Sequence, residues 1–291
     1  MTSTAGSTTQ SGSGRGRVAR AAVVTHGKAA AIGPAMARLQ AVADSAGVHL
    51  VVPAEEAAKH GVAVVDGDET PVYLAVVLGG DGTMLRALTR FLGTGIPVIG
   101  VNFGRVGFLS SMQQDELEVG IGRVFAGYYD VVELPTIEIE HDGTRFVAVN
   151  DAVVTSGALG RMVELEWAVG GEDLGTQPCD GVICATPSGS TAYNLSNGGP
   201  VLVWGIDALA ITFVAPHSLH ARSLVVPRGR DVVICNRTAD VPAVVLVDGH
   251  RSSEVAPLDG TVVARLGPER SLLATLPEAT FVCRYRQSFA S

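Results

Sequence analysis

Gly79-Gly80-Asp81-Gly82-Thr83 follows an apolar run, Tyr73–Leu78, and precedes a helical pattern, Met84–Leu88. An apolar run of this length that ends in glycine is typical of a buried parallel strand. The stretch therefore predicts a strand, a glycine turn, and a helix that Thr83 can cap. Backbone N–H groups at such a turn point outward, where an anion can accept them.

Asp81 is the candidate for chemistry in this turn. Glycines on both sides should leave its carboxylate unobstructed, and no Lys or Arg stands within the turn to neutralise it. We therefore expect an ionised carboxylate that can accept a proton or hold a hydroxyl beside a phosphate. A tight strand–helix connection without a ligand produces the same short motif, so the rest of the chain has to decide.

Strand and helix patterns alternate from Val18 to about Val131. The expected strands are Ala21–Val24, Val48–Val52, Tyr73–Leu78 and Ile96–Val101. The expected helices are Ile32–Ala46, Ala54–His60, the one after Thr83, and Asp115–Gly127. This alternation predicts a parallel sheet covered by helices. The ligand edge of such a sheet lies beyond the carboxyl ends of its strands, where Asp81 and the loop 102–108 are both expected.

The pattern changes after Leu134-Pro135. Short strands separated by Gly, Asp and Pro continue through Ala264, which predicts a mostly antiparallel second domain. We expect a disordered tail at 1–17, an α/β domain at 18–131 and a β-rich domain at 132–274. The segment 275–291 has an ambiguous pattern.

Composition excludes some classes of function. The chain has 291 residues, of which 47% are hydrophobic, and this is ample for one or two globular cores. Its net charge of −8 argues against a nucleic-acid partner. The longest apolar stretch, 201–215, is too short to span a bilayer, so no membrane partner is expected. Four cysteines without a C-x-x-C pair predict no disulfides and a cytoplasmic protein.

A second glycine-rich and hydroxyl-rich stretch runs from Cys179 to Pro200. It predicts a strand, Gly181–Ala185, then a polar turn and a short helix capped by Ser190 or Thr191. Converging hydroxyls and amides suit a ribose, an amide or a pyrophosphate; a purely structural Ser/Thr turn is the alternative. The stretch contains neither G-x-S-x-G nor S-x-x-K, so it does not indicate a serine nucleophile.

Other candidates have simpler explanations beside the functional ones. Asn150-Asp151 could bind ribose hydroxyls, although the pair is also common in turns. Asp248, which precedes a glycine, is expected to be a hairpin turn residue. His217 and His220 have H-x-x-H spacing, but without a third ligand a metal site is not favoured.

Two arginines and the absence of two nucleotide-binding motifs also bear on the function. Arg86 and Arg161 could each reach a phosphate, or could simply lie in solvent. Neither a Walker loop nor the G-x-G-x-x-G dinucleotide fingerprint is present, so the common nucleotide folds are not indicated.

Taken together and in this order, four segments resemble the NAD kinase family over nearly the whole chain after about residue 18. They are Gly79–Thr83, Asn102–Leu109, Asn150-Asp151 and Asp180–Pro200. The last is highly specific, whereas Gly-Gly-Asp-Gly is shared with diacylglycerol, sphingosine and phosphofructokinase relatives. The resemblance implies an N-terminal α/β domain, a C-terminal β-sandwich and a tail, 275–291, that returns to the first domain. It also implies a homodimer or homotetramer whose subunits complete each other's sites.

The implied reaction is transfer of a phosphoryl group from ATP or polyphosphate to the 2′-hydroxyl of the adenosine ribose of NAD, giving NADP. A divalent metal, expected to be Mg²⁺, accompanies the donor. The resemblance makes Asp81 the proton acceptor and lets Arg161 contact NAD in its own or a neighbouring subunit. The implied NAD-binding residues are Gly82, Arg86, Phe108, Asn150, Asp151, Arg161, Asp180, Thr191, Ala192, Tyr193, Asn194, Leu195 and Ser196. Two alternatives stay open: a lipid or sphingoid kinase of the same superfamily, and a non-catalytic NAD(P)-binding paralogue.

Overall fold

The computed structural model describes residues 16–26, 29–53, 56, 71–104, 107–258 and 260–289. These residues form two compact units. The first unit comprises the residues up to Ala87, Ile96–Val132 and those from Leu273 onward. The second comprises Leu88–Gly95 and Glu133–Leu272.

Strands dominate the described chain. They are β1 (Arg20–Thr25), β2 (His49–Val51), β3 (Leu74–Gly79), β4 (Val98–Asn102), β5 (Met112–Gln113), β6 (Asp130–His141), β7 (Thr144–Ala148), β8 (Asp151–Ser156), β9 (Val163–Val169), β10 (Glu172–Cys179), β11 (Gly181–Ala185), β12 (Ala208–Val214), β13 (Leu224–Pro227), β14 (Val232–Asn236), β15 (Ala243–Val247), β16 (His250–Val255) and β17 (Thr261–Thr275). The α-helices are α1 (Ala29–Ala46), α2 (Asp81–Arg90), α3 (Leu117–Phe125), α4 (Tyr193–Ser196) and α5 (Phe281–Phe289).

The first unit contains a parallel sheet in the order β2-β1-β3-β4. All six residues of β1 and of β3 are buried, as expected of strands that helices cover on both faces. On the other side of β4, β5 and Leu273 also pair in parallel. The predicted α/β architecture is confirmed.

The helix after the glycine turn differs from the prediction in one detail. It begins at Asp81, so Thr83 lies inside its first turn and is not its cap. The Thr83 N–H bonds the carbonyl of Gly80 at 2.9 Å, which places this residue within the helical hydrogen-bond pattern. The predicted helix 54–60 lies outside the described residues except for Glu56.

The second unit is a sandwich of antiparallel sheets. One sheet has the order β13-β12-β11-β8-β15-β16. The other includes the order β10-β9-β14-β17, with β6 beside β17 and β7 beside β6. Buried side chains from both sheets, among them Ile139, Leu165, Val182 and Val245, form one apolar cluster. This matches the predicted β-sandwich.

The hydroxyl-rich stretch folds differently from the predicted capped helix. A 3₁₀ turn, Gly189–Thr191, precedes α4, and neither helical segment has a side-chain cap. The hydroxyls of Ser190 and Thr191 instead donate to the carbonyls of Pro187 (2.7 Å) and Ser188 (3.1 Å). The capping prediction is therefore wrong, because both hydroxyls bond backward onto the turn that precedes them.

Candidate functional site

The Asp81 carboxylate lies where β3 and β4 end at the same edge of the parallel sheet. Its Oδ2 accepts the N–H of Phe108 at 2.7 Å, and its Oδ1 accepts the N–H of Leu109 at 3.2 Å. The prediction of an unobstructed carboxylate is wrong, because the loop that follows β4 turns back onto α2. A carboxylate offers about four lone-pair positions, so two amide donors leave room for a hydroxyl as well.

Gly107 makes this approach possible. A Cβ at position 107 would lie 2.2 Å from the Asp81 Oδ1 and 2.4 Å from its Cγ. Any larger residue would have to displace the carboxylate or the loop. Gly107, the second glycine of the motif NFGRVGFL, is thus required for steric reasons. The sequence shows the glycine but not that Asp81 is its neighbour.

Arg284, on α5, is buried against the same loop. Its guanidinium donates to the carbonyls of Phe108 (2.9 Å), Ser110 and Ala279 (3.0 Å). It also donates to the hydroxyls of Ser111 (3.1 Å) and Thr275 (2.9 Å). Burial lowers the pKa of Arg284 to about 10, which still keeps it charged at neutral pH.

Aromatic rings add a second contact between α5 and this loop. The ring of Phe108 lies 5.8 Å from that of Phe281 and 5.4 Å from that of Phe289, with the second pair stacked. The sequence analysis missed this helix. The four-residue spacing of Phe281, Tyr285 and Phe289 was the available signal, since residues at i and i+4 share a helix face.

Arg86 is the cation of the first unit that the sequence analysis singled out. Its Nη2 donates to the Thr25 carbonyl at 2.6 Å and lies 3.5 Å from the Glu56 carboxylate. Glu56 is buried and also accepts the N–H of Thr25 at 3.2 Å. The Arg86 side chain remains 52% exposed, so part of its guanidinium faces solvent.

In the second unit, three strand ends meet around Asn150 and Asp151. Strand β8 begins at Asp151 and lies between β11 and β15. Asp151 is opposite Ala185, the last residue of β11, and Ala152 is opposite Val247, the last residue of β15. The polar residues that follow β11 and β15 therefore lie beside the start of β8.

Asp248 holds the residues at the start of β8 in place. Its carboxylate accepts the N–H groups of Val149 (2.9 Å), Asn150 (2.8 Å) and Asp151 (3.2 Å). Asp248 does occupy the turn between β15 and β16, with a positive φ of 48°, as its Asp-Gly sequence indicated. Its role as an acceptor was missed, because the pairing of β15 with β8 joins residues about 100 positions apart.

Of the two carboxyl groups of this cluster, that of Asp151 is buried and that of Asp248 is half-buried. Burial, reinforced by the charge of Asp248, raises the pKa of Asp151 to about 7. Burial also raises the pKa of Asp248, against the opposing effect of its three N–H donors. At neutral pH the Asp151 carboxyl can thus either accept a hydrogen bond or donate one.

Asn150 is tied to the hydroxyl-rich turn. Its carbonyl accepts the N–H of Thr186 at 2.9 Å, and its side-chain Oδ1 accepts the hydroxyl of Ser188 at 3.0 Å. A Cβ at Gly189 would lie only 2.0 Å from the Asn150 carbonyl oxygen, so this turn packs directly on the start of β8. The structure thus brings two separately predicted motifs together.

The predicted segment 191–196 divides into framework and surface. Asn194 is fully buried, and its amide donates to the carbonyls of Ser190 and Pro200, both at 3.0 Å. Its oxygen accepts the hydroxyl of Thr212 at 2.7 Å. Asn194 therefore stabilises the turn from within. Tyr193 is 44% exposed and available to a ligand. The prediction that these residues line a dinucleotide stays a prediction.

Asp180 and Arg161 do not join this cluster within one chain. Asp180 precedes β11, whereas the Thr186 turn follows it, and a strand of this length separates the two by about 20 Å. The carbonyl of Asp180 accepts the N–H of Ser156 at 3.0 Å, and Arg161 pairs with Asp240 at 2.9 Å. These two predicted residues lie toward the opposite end of the same sheet.

Metal ligands, cysteines and long apolar helices were also sought in the described parts of the chain. There, no three His, Cys, Asp or Glu side chains converge on a possible metal position. Cys179, Cys184, Cys235 and Cys283 are free thiols. None of the described helices is both long enough and apolar enough to cross a membrane.

Comparison with known proteins decides the family. Residues 34–129 match the model of the ATP-NAD kinase N-terminal domain, and residues 149–273 match that of the ATP-NAD kinase C-terminal domain. The chain belongs to the NAD kinase family. An NAD kinase of Gemmatimonas aurantiaca is 40% identical over 228 residues, which cover 75% of this chain and 77% of the relative. An NAD kinase of Symbiobacterium thermophilum is 41% identical over 226 residues, covering 75% and 79%.

Solved structures of NAD kinases share the fold. A yeast NADH kinase complexed with NADH superposes with a TM-score of 0.83 at 22% identity, covering 95% of this chain and 89% of the yeast chain. An NAD kinase from Archaeoglobus fulgidus in complex with ATP gives 0.71 at 23% identity, covering 93% and 97%. NAD kinases are phosphotransferases, so the predicted enzyme class is confirmed. The alternatives of a lipid kinase or a non-catalytic paralogue are not favoured.

Proposed function

We propose that this NAD kinase transfers a phosphoryl group to the 2′-hydroxyl of the adenosine ribose of NAD, with Asp81 as the proton acceptor. The observation that carries this role is the fixed carboxylate at the carboxyl end of β3, held by two amides and with lone pairs to spare. Phosphoryl transfer requires mainly positioning and charge stabilisation, and a general base at the attacking hydroxyl fits that requirement.

ATP is the donor that the comparisons favour, since the archaeal relative is described in complex with ATP and the matching family models are those of ATP-NAD kinases. Polyphosphate is retained as a second donor to be assayed. The divalent metal enters with the phosphates of the donor. Mg²⁺ typically binds through substrate phosphates and one or two carboxylates rather than through a cage of protein ligands.

NAD is the proposed acceptor, and NADH is a second candidate because the yeast relative is an NADH kinase complexed with NADH. Asn150 and Asp151 are proposed to bind hydroxyl or base groups of the dinucleotide. The raised pKa of Asp151, about 7, suits a group that exchanges hydrogen bonds with ribose hydroxyls. Gly82, Arg86, Phe108 and the segment 191–196 complete the proposed contacts of one chain, with the buried Asn194 side chain holding the turn that presents its neighbours.

A second copy of the chain is proposed to supply Arg161 to the dinucleotide. The separation of about 20 Å between the Asp180 end of β11 and the Thr186 turn supports this arrangement. We therefore propose a homodimer or homotetramer, and a cytoplasmic location. Sedimentation analysis of the purified protein tests the assembly.

The substitution Asp81→Asn tests the central role. It keeps an acceptor for one amide but removes the base, and it should lower the rate of NADP formation about 10²- to 10⁴-fold while NAD still binds. Asp44→Asn, an exposed carboxylate on α1, is the matched control and should leave the rate unchanged. Full activity of the Asp81→Asn variant would remove this residue from the mechanism. Long-chain alcohols assayed in parallel would identify a lipid kinase.

A further inference from the structure

We propose that Arg284 is a positioning residue for the reaction: through α5 it sets the Gly107–Leu109 loop against Asp81 and so controls turnover. The inference rests on the proposed role of Asp81. It concerns a residue at the far C-terminal end of the chain, more than 200 positions from the glycine turn.

The first argument is the way the guanidinium is used. Its hydrogen bonds join two segments: two go to the tail, at Thr275 and Ala279, and three go to residues from Phe108 to Ser111. Burying a guanidinium is costly unless its donors are satisfied. The planar fork of Arg, with five N–H donors, can satisfy this set, whereas the point charge of Lys cannot.

The second argument is that one residue connects Arg284 to the carboxylate. The carbonyl of Phe108 accepts from Arg284 at 2.9 Å, and the N–H of Phe108 donates to Asp81 at 2.7 Å. Phe108 therefore links the buried Arg284 guanidinium directly to the Asp81 carboxylate, the proposed base. Without Arg284, the carbonyl of Phe108 loses its hydrogen-bond donor, and Phe108 is the residue whose N–H orients the Asp81 carboxylate.

The third argument is that α5 grips this loop in two independent ways. Besides the polar contacts of Arg284, the rings of Phe281 and Phe289 pack on that of Phe108. Packing of this kind fixes the side-chain direction of Phe108, and the hydrogen bonds fix its backbone. A loop held by both has little freedom to move the two amides away from Asp81.

The consequence for catalysis is specific. A misplacement of reacting groups by about 1 Å can lower turnover about 10²-fold. Because Arg284 acts on the orientation of Asp81, its loss should lower kcat while the KM for NAD changes little. If Arg284 only stabilised the tail, its loss would lower the stability of the first unit without lowering kcat selectively over the KM for NAD.

The test uses the full-length protein with Arg284→Met and, as matched control, Arg286→Met, which alters an exposed arginine two residues further along α5. Arg284→Met should lower kcat for NADP formation about 10- to 100-fold with less than a threefold change in KM for NAD. Hydrogen exchange at the amides of Phe108 and Leu109 should accelerate in the same variant. The control should match the unmodified enzyme in all three measurements.

A milder pair keeps the proposal testable if Arg284→Met fails to fold. Phe289→Ala removes the ring stacked on Phe108 from a position that is 45% exposed, and Val282→Ala changes a residue of α5 that is 68% exposed. The first should accelerate exchange at Phe108 and lower kcat severalfold; the second should do neither. A kcat within twofold of the unmodified value, with unchanged exchange in the folded variants, would overturn the inference.

The outcome separates this inference from the proposed function. If the unmodified protein forms no NADP with ATP or with polyphosphate, the proposed function fails and the role in turnover fails with it. If the unmodified protein forms NADP but the Arg284 and Phe289 variants behave like their controls, the proposed function stands and the inference alone is wrong.

Discussion

The stability of the second unit should fall as the pH rises through the range in which Asp151 ionises. Its carboxyl group is buried beside Asp248, and its pKa is raised from 3.8 to about 7. In the folded chain this group therefore keeps its proton over a range where the unfolded chain has already lost it. The folded state binds more protons than the unfolded state, so the free energy of unfolding must decrease with rising pH.

The magnitude follows from the two pKa values. A difference of about three pH units at about 1.4 kcal/mol per unit corresponds to about 4 kcal/mol in total. The loss begins near the unfolded pKa of 3.8 and is complete above the folded pKa of about 7. About 3 of those 4 kcal/mol should fall between pH 4.5 and 7.5, because the lower end of the window lies just above the unfolded value.

The variant Asp151→Asn isolates this contribution, because asparagine resembles the protonated acid and does not titrate. The difference in unfolding free energy between variant and unmodified protein should grow by about 3 kcal/mol in favour of the variant from pH 4.5 to 7.5. Both tryptophans, Trp167 and Trp204, lie in the second unit. Urea unfolding followed by tryptophan fluorescence therefore reports on the unit that contains Asp151.

Asp173→Asn is the matched control. Asp173 lies in an exposed part of the second unit, where its carboxylate accepts the N–H of Gly175 at 2.8 Å, and asparagine keeps an acceptor there. Its stability relative to the unmodified protein should stay constant across the same pH range. A difference for Asp151→Asn that changes by less than about 1 kcal/mol would refute the reasoning, since it would mean that Asp151 ionises in the folded chain as it does in water.

Two further predictions concern packing at the two clusters. Gly107→Ala should lower NADP formation at least tenfold with little effect on unfolding, because its Cβ would meet the Asp81 carboxylate at 2.2 Å; a Gly122→Ala variant, with open space at its Cβ, is the control. Asn194→Ala should lower the unfolding free energy of the second unit by about 2–4 kcal/mol, since it removes the donor to two interior carbonyls and the shorter of the two hydrogen bonds of the Thr212 hydroxyl; a loss below about 0.5 kcal/mol in urea unfolding would contradict it.

Local signals in the sequence predicted the elements that carry their own pattern. The apolar run before Gly79 and the alternation through Val131 predicted a parallel sheet, because strands buried on both faces are continuously apolar. The short strands after Pro135 predicted antiparallel pairing, because Gly, Asp and Pro between them indicate tight turns rather than crossover helices. The resemblance to a family then supplied the reaction.

Contacts between distant segments could not be read in the same way. The partner of Asp81 is a loop 27 residues away, and the partner of that loop is Arg284, a further 176 residues along the chain. Asp248 looked like a turn residue because an Asp-Gly pair is sufficient for a hairpin. Which strand lies beside that hairpin is a property of topology, and topology decides which amides its carboxylate meets.

The raised pKa of Asp151 also predicts how NAD should bind. With a pKa of about 7, roughly half of the molecules carry the protonated acid at neutral pH. If Asp151 accepts a ribose hydroxyl, as we propose, the bound state favours the carboxylate, because an ionised group is the stronger acceptor. Binding should then lower this pKa and release up to about half a proton per site at pH 7.

Titration calorimetry of NAD binding in two buffers of different ionisation enthalpy measures that proton directly. Asp151→Asn should abolish the buffer dependence, while Asp173→Asn should retain it. If the unmodified protein binds NAD with the same heat in both buffers, Asp151 keeps its protonation state on binding, and its proposed role as an acceptor carboxylate is wrong.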